Sequence, residues 1–112
     1  FGEGEQTRCF CYVDDLVEGL VRMMNQDEHT GPINLGNPDE RTIRQLAELV
    51  NTMTGNTGGL TYRSLPQDDP KRRCPDISLA KEVLDWEPSV SLETGLRSTV
   101  EYFETLVAGG KI

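Results

Sequence analysis

A complete helix is written between Thr42 and Gly55. Thr42 and Gln45 stand three apart, the spacing at which a hydroxyl and an amide each satisfy the other residue's backbone N–H at a helix start. Ile43, Leu46, Ala47, Val50 and Met53 then recur at helical spacing, and Gly55 supplies a left-handed stop. A helix with one apolar stripe has to bury it, so this segment demands a layered, globular chain. Two more stripes follow the same rule. Leu16, Leu20, Val21, Met23 and Met24 predict a helix capped by Asp14, with Asp15 in its first turn, that ends near Asn25. Its methionines are read as core packing. Ser91 opens the other, with Leu92, Leu96, Val100, Phe103 and Leu106 along one side, and Ser78 to Leu84 is a shorter helix.

Short extended stretches lie between the helices. Arg8 to Val13 alternates and is rich in aromatic and small apolar residues, so it predicts a strand. Pro32 to Leu35 lies between glycines and Leu60 to Leu65 follows an NTGG turn, and both predict strands. The order is strand, helix, strand, helix, strand, helix, helix. At 112 residues this is one small α/β lobe with three short strands and four helices. The AGGKI tail is expected to fray. The chain opens without Met, and it reads as part of a longer protein.

Charge narrows the function classes. A formal net charge of -8 works against nonspecific binding to nucleic acid or to an anionic membrane. No apolar run approaches the roughly 20 residues that span a bilayer, and no secretory leader is visible. Three cysteines, Cys9, Cys11 and Cys74, fit a reducing, cytoplasmic setting better than a disulfide scaffold. Cys9 and Cys11, two apart on a strand, point to one face and are read as buried free thiols. With one distant histidine they make a poor metal set. His29, in the polar stretch QDEHTGP, is a loop residue.

The residues exclude several chemistries. No GxGxxG follows a strand and opens a helix, and no phosphate loop ends in Lys-Ser or Lys-Thr. Serine-protease-type catalysis would need His29, which has no partners in the sequence. Two features stand out from the acidic background. Arg8 follows the glycine turn GEGEQT, and Lys71, Arg72 and Arg73 cluster in DDPKRRCPD. Each alone is the mark of a solvated surface charge. Together, two arginine-bearing loops could converge on one anion, because the guanidinium fork suits phosphate oxygens.

The two loops also carry a resemblance. GEGEQTRCFCYVDDL, GPINLGNPDERTIRQLAELV and DDPKRRCPDISLAKEVLDWEPSVSLETGL, in that order, resemble the C-terminal third of the extended short-chain dehydrogenase/reductases acting on nucleotide sugars, the epimerase/dehydratase family. Within them the chain is most similar to the UDP-glucuronate decarboxylases, also called UDP-xylose synthases. One position departs from the family's tryptophan motif, where Asp85 stands in place of the usual glycine in Leu84-Asp85-Trp86-Glu87-Pro88. That change is expected to affect local geometry only.

The resemblance implies a small C-terminal substrate-binding lobe, with a Rossmann domain outside these residues that holds NAD. It implies oxidation of UDP-glucuronate at carbon 4, loss of carbon dioxide from the resulting β-keto acid, and reduction to UDP-xylose. The catalytic pair belongs to the other domain, so no catalytic or metal-binding residue is assigned here. Arg8 would hold the diphosphate with Phe10 beside the nucleotide, while Asp69 and Arg73 approach ribose and phosphates. The glycines of the turn would let that loop come close to the ligand, and Tyr12 would help link lobe to lobe. The implied partner is the UDP-sugar, with no nucleic acid and no membrane. The whole enzyme is expected to be a homodimer, and the isolated lobe to self-associate. Two alternatives stay open: another nucleotide-sugar epimerase or 4,6-dehydratase, and a freestanding, non-catalytic interaction module.

Overall fold

A computed structural model describes residues 2–56, 58–64 and 72–110. All four expected helices form. They are α1 (Val13–Met24), α2 (Ile43–Thr54), α3 (Ser78–Leu84) and α4 (Leu92–Ala108). At the start of α2 the Thr42 hydroxyl accepts from the Gln45 backbone N–H at 3.0 Å, and the Gln45 amide oxygen accepts from the Thr42 N–H at 2.8 Å. Gly55 closes the helix in the left-handed region, with φ 70°. Ser91 caps α4 by accepting from the Thr94 N–H. The cap expected at Asp14 does not form: the helix begins at Val13, with Tyr12 as its N-cap and both Asp14 and Asp15 in the first turn.

The sheet departs from expectation. Two strands are present among the described residues, β1 (Thr7–Cys9) and β2 (Glu40–Thr42), antiparallel with Thr7 opposite Thr42, Arg8 opposite Arg41 and Cys9 opposite Glu40. The strand expected over Arg8 to Val13 is therefore shorter and ends at Cys9, where the chain turns into α1. Pro32 to Leu35 is not a strand. Pro32 has no N–H to give a ladder, and the segment instead packs Ile33, 8% exposed, into the core as extended loop. Residues 60–64 form no strand either; one bond, from the Gly2 N–H to the Arg63 carbonyl, ties them to the N-terminal turn. Residue 65 of that expected strand lies outside the described residues. Glu40–Thr42 has no apolar alternation to announce it; backbone pairing with β1 makes it a strand.

The core is built around Trp86, which is buried with Ile33, Ile77, Ala80 and Leu84. Met23, Leu35, Leu79 and Val83 pack on it from the edges. Gly19 allows α1 to lie against this cluster: a Cβ there would meet Leu35 Cδ1 at 3.0 Å and Trp86 Cε2 at 3.2 Å. Asp15 does more than complement the helix start. It is 3% exposed, and its carboxylate accepts from the Ser89 N–H, the Ser89 hydroxyl and the Val90 N–H at 3.0–3.1 Å. Its own carbonyl accepts from the Trp86 indole at 2.9 Å. One residue thus ties α1 to the segment between α3 and α4.

The core reading of the two methionines holds for Met23 and fails for Met24. Met24 is 76% exposed, and Leu20 and Val21 also face outward with Val13 and Val17. The α1–α3 contact is narrow, so one edge of the stripe is covered and the rest is left bare. Asp85 occupies the left-handed region, with φ 51°, and is the sole non-glycine residue with positive φ among the described residues. Two bonds from Arg22 Nη1, to the carbonyls of Leu84 and Asp85, brace that turn. A side chain in this conformation costs on the order of 1 kcal/mol, which glycine avoids. Asp85→Gly is therefore expected to stabilise the protein by about 0.5–1 kcal/mol, read as a rise in the urea midpoint at unchanged slope. An unchanged or lower midpoint would show that the turn carries no such strain.

Candidate anion site at the hairpin

The hairpin and the segment after residue 71 meet at a cavity of about 290 Å³ lined by Arg8, Cys9, Asn34, Leu35, Arg73, Cys74 and Pro75. Arg8 and Arg73, far apart in the chain, are therefore brought to one cavity. Gly36 makes this possible: a Cβ there would meet Pro75 Cγ at 3.0 Å, so glycine lets the 72–77 segment lie on the 33–36 loop. Arg8 projects from the centre of β1, and its Nη1 donates to the Thr7 carbonyl at 2.7 Å, which restrains the head of the side chain.

The neighbouring arginines are engaged elsewhere. Arg41, opposite Arg8, donates to Glu93 at 2.8 Å and to Asp39 at 3.0 Å. Arg72 clasps Glu40, with Nη2 at 2.6 Å and Nε at 2.9 Å from Oε1, and this bond holds the Glu40 carboxyl below the usual carboxylate range. Among the described residues Arg73 makes no ion pair. Arg8 and Arg73 both line the cavity. Two guanidinium groups beside one opening can take a dianion.

The other expected site residues are placed differently. Phe10 lies beyond the end of β1 and lines a different cavity of about 620 Å³, with Tyr12, Leu46, Val50, Leu96 and Tyr102 around it. Asp69 and Lys71 lie outside the described residues. The glycine turn does not line the Arg8 cavity. Gly4, with φ 77°, sits against α2, where its carbonyl accepts from the Arg44 N–H at 2.9 Å. Tyr12 packs against Gly95 of α4, where a Cβ would meet its Cδ1 at 2.8 Å. Cys9 and Cys11 do not share a face, because the strand ends between them. Cys9 lines the arginine cavity, and Cys11 lines the apolar one. All three cysteines are free, Cys9 and Cys11 half-buried and Cys74 exposed.

Asn34 was not singled out in the sequence. The available signal was a polar residue inside the otherwise apolar stretch Pro32-Ile33-Asn34-Leu35. His29 is a loop residue, locked by a two-way exchange with the Gln26 amide at 2.8 and 2.9 Å. No group of three or more potential metal ligands occurs among the described residues, and none of their helices is long and apolar enough to cross a membrane.

Comparison with known proteins matches this arrangement to a family. The chain is 52% identical over 103 residues to UDP-glucuronic acid decarboxylase 1 of Xenopus tropicalis, covering 92% of this chain and 24% of that protein. It is 49% identical over 109 residues to UDP-glucuronic acid decarboxylase 2 of Arabidopsis thaliana, again covering 24% of the relative. The chain thus spans about a quarter of the length of these relatives. Among solved structures, it superposes on UDP-glucose 4-epimerase of Thermotoga maritima with a TM-score of 0.88 at 38% identity, over 96% of this chain and 34% of that one. UDP-glucuronic acid 4-epimerase of Bacillus cereus, solved with UDP-glucuronic acid and NAD, gives a TM-score of 0.86 at 30% identity, over 95% of this chain and 34% of that one. The sequence profile of the GDP-mannose 4,6 dehydratase family spans residues 1–99, and the chain belongs to that family.

Proposed function

We propose that this chain is the C-terminal, nucleotide-sugar-binding lobe of an NAD-dependent, cytoplasmic UDP-glucuronate decarboxylase. The convergence of Arg8 and Arg73 on one cavity carries the reading. The near-half identity to decarboxylases over almost the whole chain supports the choice of reaction. In this reading Arg8 and Arg73 bind the diphosphate and Asp69 approaches the ribose, while Phe10, which lines the other cavity, is given no part in the diphosphate site. NAD would be held by residues outside this chain: Gly2 and Gly4 form a turn entering a strand, and among the described residues no glycine loop stands between a strand and a helix to seat a pyrophosphate. When bound, NAD supplies hydride acceptance and return at carbon 4 of the sugar. This lobe contributes binding energy and orientation, by holding the charged end of the substrate so that the sugar is presented to the other domain.

The test is product identity. The full-length protein, given UDP-glucuronate, should release carbon dioxide and yield UDP-xylose. The C4 epimer without carbon dioxide would instead favour the epimerase reading, which the Bacillus cereus structure supports. No turnover and no UDP binding would favour a non-catalytic module. The 112-residue chain alone should be inactive even with added NAD.

The bare face of α1 bears on assembly. Val13, Val17, Leu20, Val21 and Met24 are all exposed, and Tyr102, Phe103 and Val107 form a second exposed group on α4. Surfaces of this kind are ordinarily covered. In a full-length homodimeric enzyme we assign the α1 face to contact with the rest of the protein. The isolated chain should therefore self-associate. Sedimentation should show a weight-average mass that rises with concentration, and a strictly monomeric species up to high micromolar concentration would refute the assignment.

A further inference from the structure

We propose that Cys9 and Cys74 are the two halves of a reversible disulfide at the rim of the Arg8–Arg73 cavity. The two residues face each other across the joint between the hairpin and the 72–77 segment. Both line the same cavity, and Cys74 is among the neighbours that raise the Cys9 thiol. The pairing is held from both sides. Glu40 is the register partner of Cys9 across the hairpin, and it is clasped by Arg72, two residues before Cys74. The Cys74 thiol also donates to the Pro38 carbonyl at 3.5 Å, which seats it over the loop leading into β2. These contacts fix the backbone of each cysteine without using the other's sulfur. Bond formation requires the two side chains, already at one cavity, to bring their sulfurs to about 2 Å. Cys11, the neighbour the sequence suggests for Cys9, lines the other cavity and lies on the wrong side of the strand end.

The two thiols have different roles. Cys74 is exposed and meets the oxidant first. Burial, the neighbouring Cys74 and the nearby Glu40 and Asp39 carboxylates push the Cys9 thiol up to about 11, so Cys9 is protonated and inert until Cys74 is activated. The oxidant is a low-molecular-weight disulfide of the glutathione type. Cys74 loses its proton, and the thiolate attacks one sulfur of that disulfide, giving a mixed disulfide and releasing one thiolate. Cys9 then gives up its proton and attacks the Cys74 sulfur, forming the Cys9–Cys74 bond and expelling the second thiolate. The released thiolates take up the two protons. Two protein thiols are oxidised and one small disulfide is reduced to two thiols. The bond is a covalent clamp between the two walls of the cavity. Its existence does not depend on which anion the cavity takes.

The experiment equilibrates the full-length protein in glutathione redox buffers from fully reduced to fully oxidised, quenches in acid, alkylates free thiols and maps tryptic peptides by mass. The expected result is a Cys9–Cys74 cross-link in most molecules at the oxidised end, with Cys11 alkylated and full reversal by dithiothreitol. Fragment ions separate Cys9 from Cys11, which share a peptide. Oxidation should also raise the apparent Tm by at least about 5 °C, because the bond closes a long loop in the unfolded chain. Cys74→Ser, at an exposed position, should abolish both the cross-link and the shift. Alkylation of both Cys9 and Cys74 throughout the series would overturn the proposal. So would Cys74 held only as a mixed disulfide with glutathione, or a Cys9–Cys11 bond.

Discussion

Arg8→Ala should weaken UDP binding to the full-length protein roughly 10- to 100-fold. The expectation rests on where the guanidinium stands. Arg8 is half-buried at the centre of β1 and lines one cavity with Arg73. A charge-assisted bond to phosphate contributes on the order of 1.5–3 kcal/mol once water is displaced. Arg8→Lys should recover only part of the loss, because an ammonium cannot make the two parallel bonds of the fork. Arg73→Ala should have an effect of similar size. If both arginines hold one diphosphate, the double variant should lose less than the sum of the two. A diphosphate role puts the main effect of the substitution on UDP affinity. A surface-charge role makes the opposite prediction: unaltered UDP affinity and a small loss of Tm. Calorimetric titration of UDP into the wild type and each variant separates the two, and unchanged affinity in Arg8→Ala would remove the arginine from the site.

Asp15→Ala should cost about 3–5 kcal/mol of folding stability, a large part of the 5–15 kcal/mol typical of a domain. The carboxylate is almost fully buried and accepts from two backbone N–H groups and one hydroxyl of residues 89 and 90. Alanine would remove the buried acceptor of three charge-assisted bonds, each contributing on the order of 1.5–3 kcal/mol, and water reaching the freed Ser89 donors offsets only part of that. Asp15→Asn keeps one acceptor oxygen and should fall between. Asp14 is the internal control. It stands in the same first turn but is exposed, so its replacement removes only a dipole interaction of about 0.3–1 kcal/mol. Urea denaturation of the three variants at neutral pH decides the point. Equal small losses at Asp14 and Asp15 would mean that the bracket between α1 and the segment after α3 contributes nothing.

The contrast between these two aspartates shows where the sequence stops being informative. Both sit in a helix's first turn, and local rules treat them alike. Only the packing of α1 on Trp86 turns one of them inward. The same limit separates Met23 from Met24, adjacent in one apolar stripe: the first reaches the core and the second is exposed. A stripe states which face is apolar. It does not state how much of that face the neighbouring elements cover.

Local chemistry was sufficient for the helices. The Thr42–Gln45 capping box, the Gly55 stop and the Ser91 cap are interactions within a few residues, so they can be read in order along the chain. Arg8 and Arg73 were legible as candidates because each follows a turn-rich loop, where a guanidinium can reach a ligand. Strands are different, since a strand exists only where a second strand pairs with it. Glu40–Thr42 became β2 because β1 lies beside it, and Pro32–Leu35 remained a loop because its side chains were drawn into the core while its backbone found no ladder. The neighbour of Cys9 followed the same logic, being Cys74 across the hairpin joint and not Cys11 two residues on. Residues close in sequence determined the helices and marked the arginines; contacts between segments dozens of residues apart decided the sheet, the buried carboxylate and the cavity, because those depend on which surfaces meet when the whole chain packs.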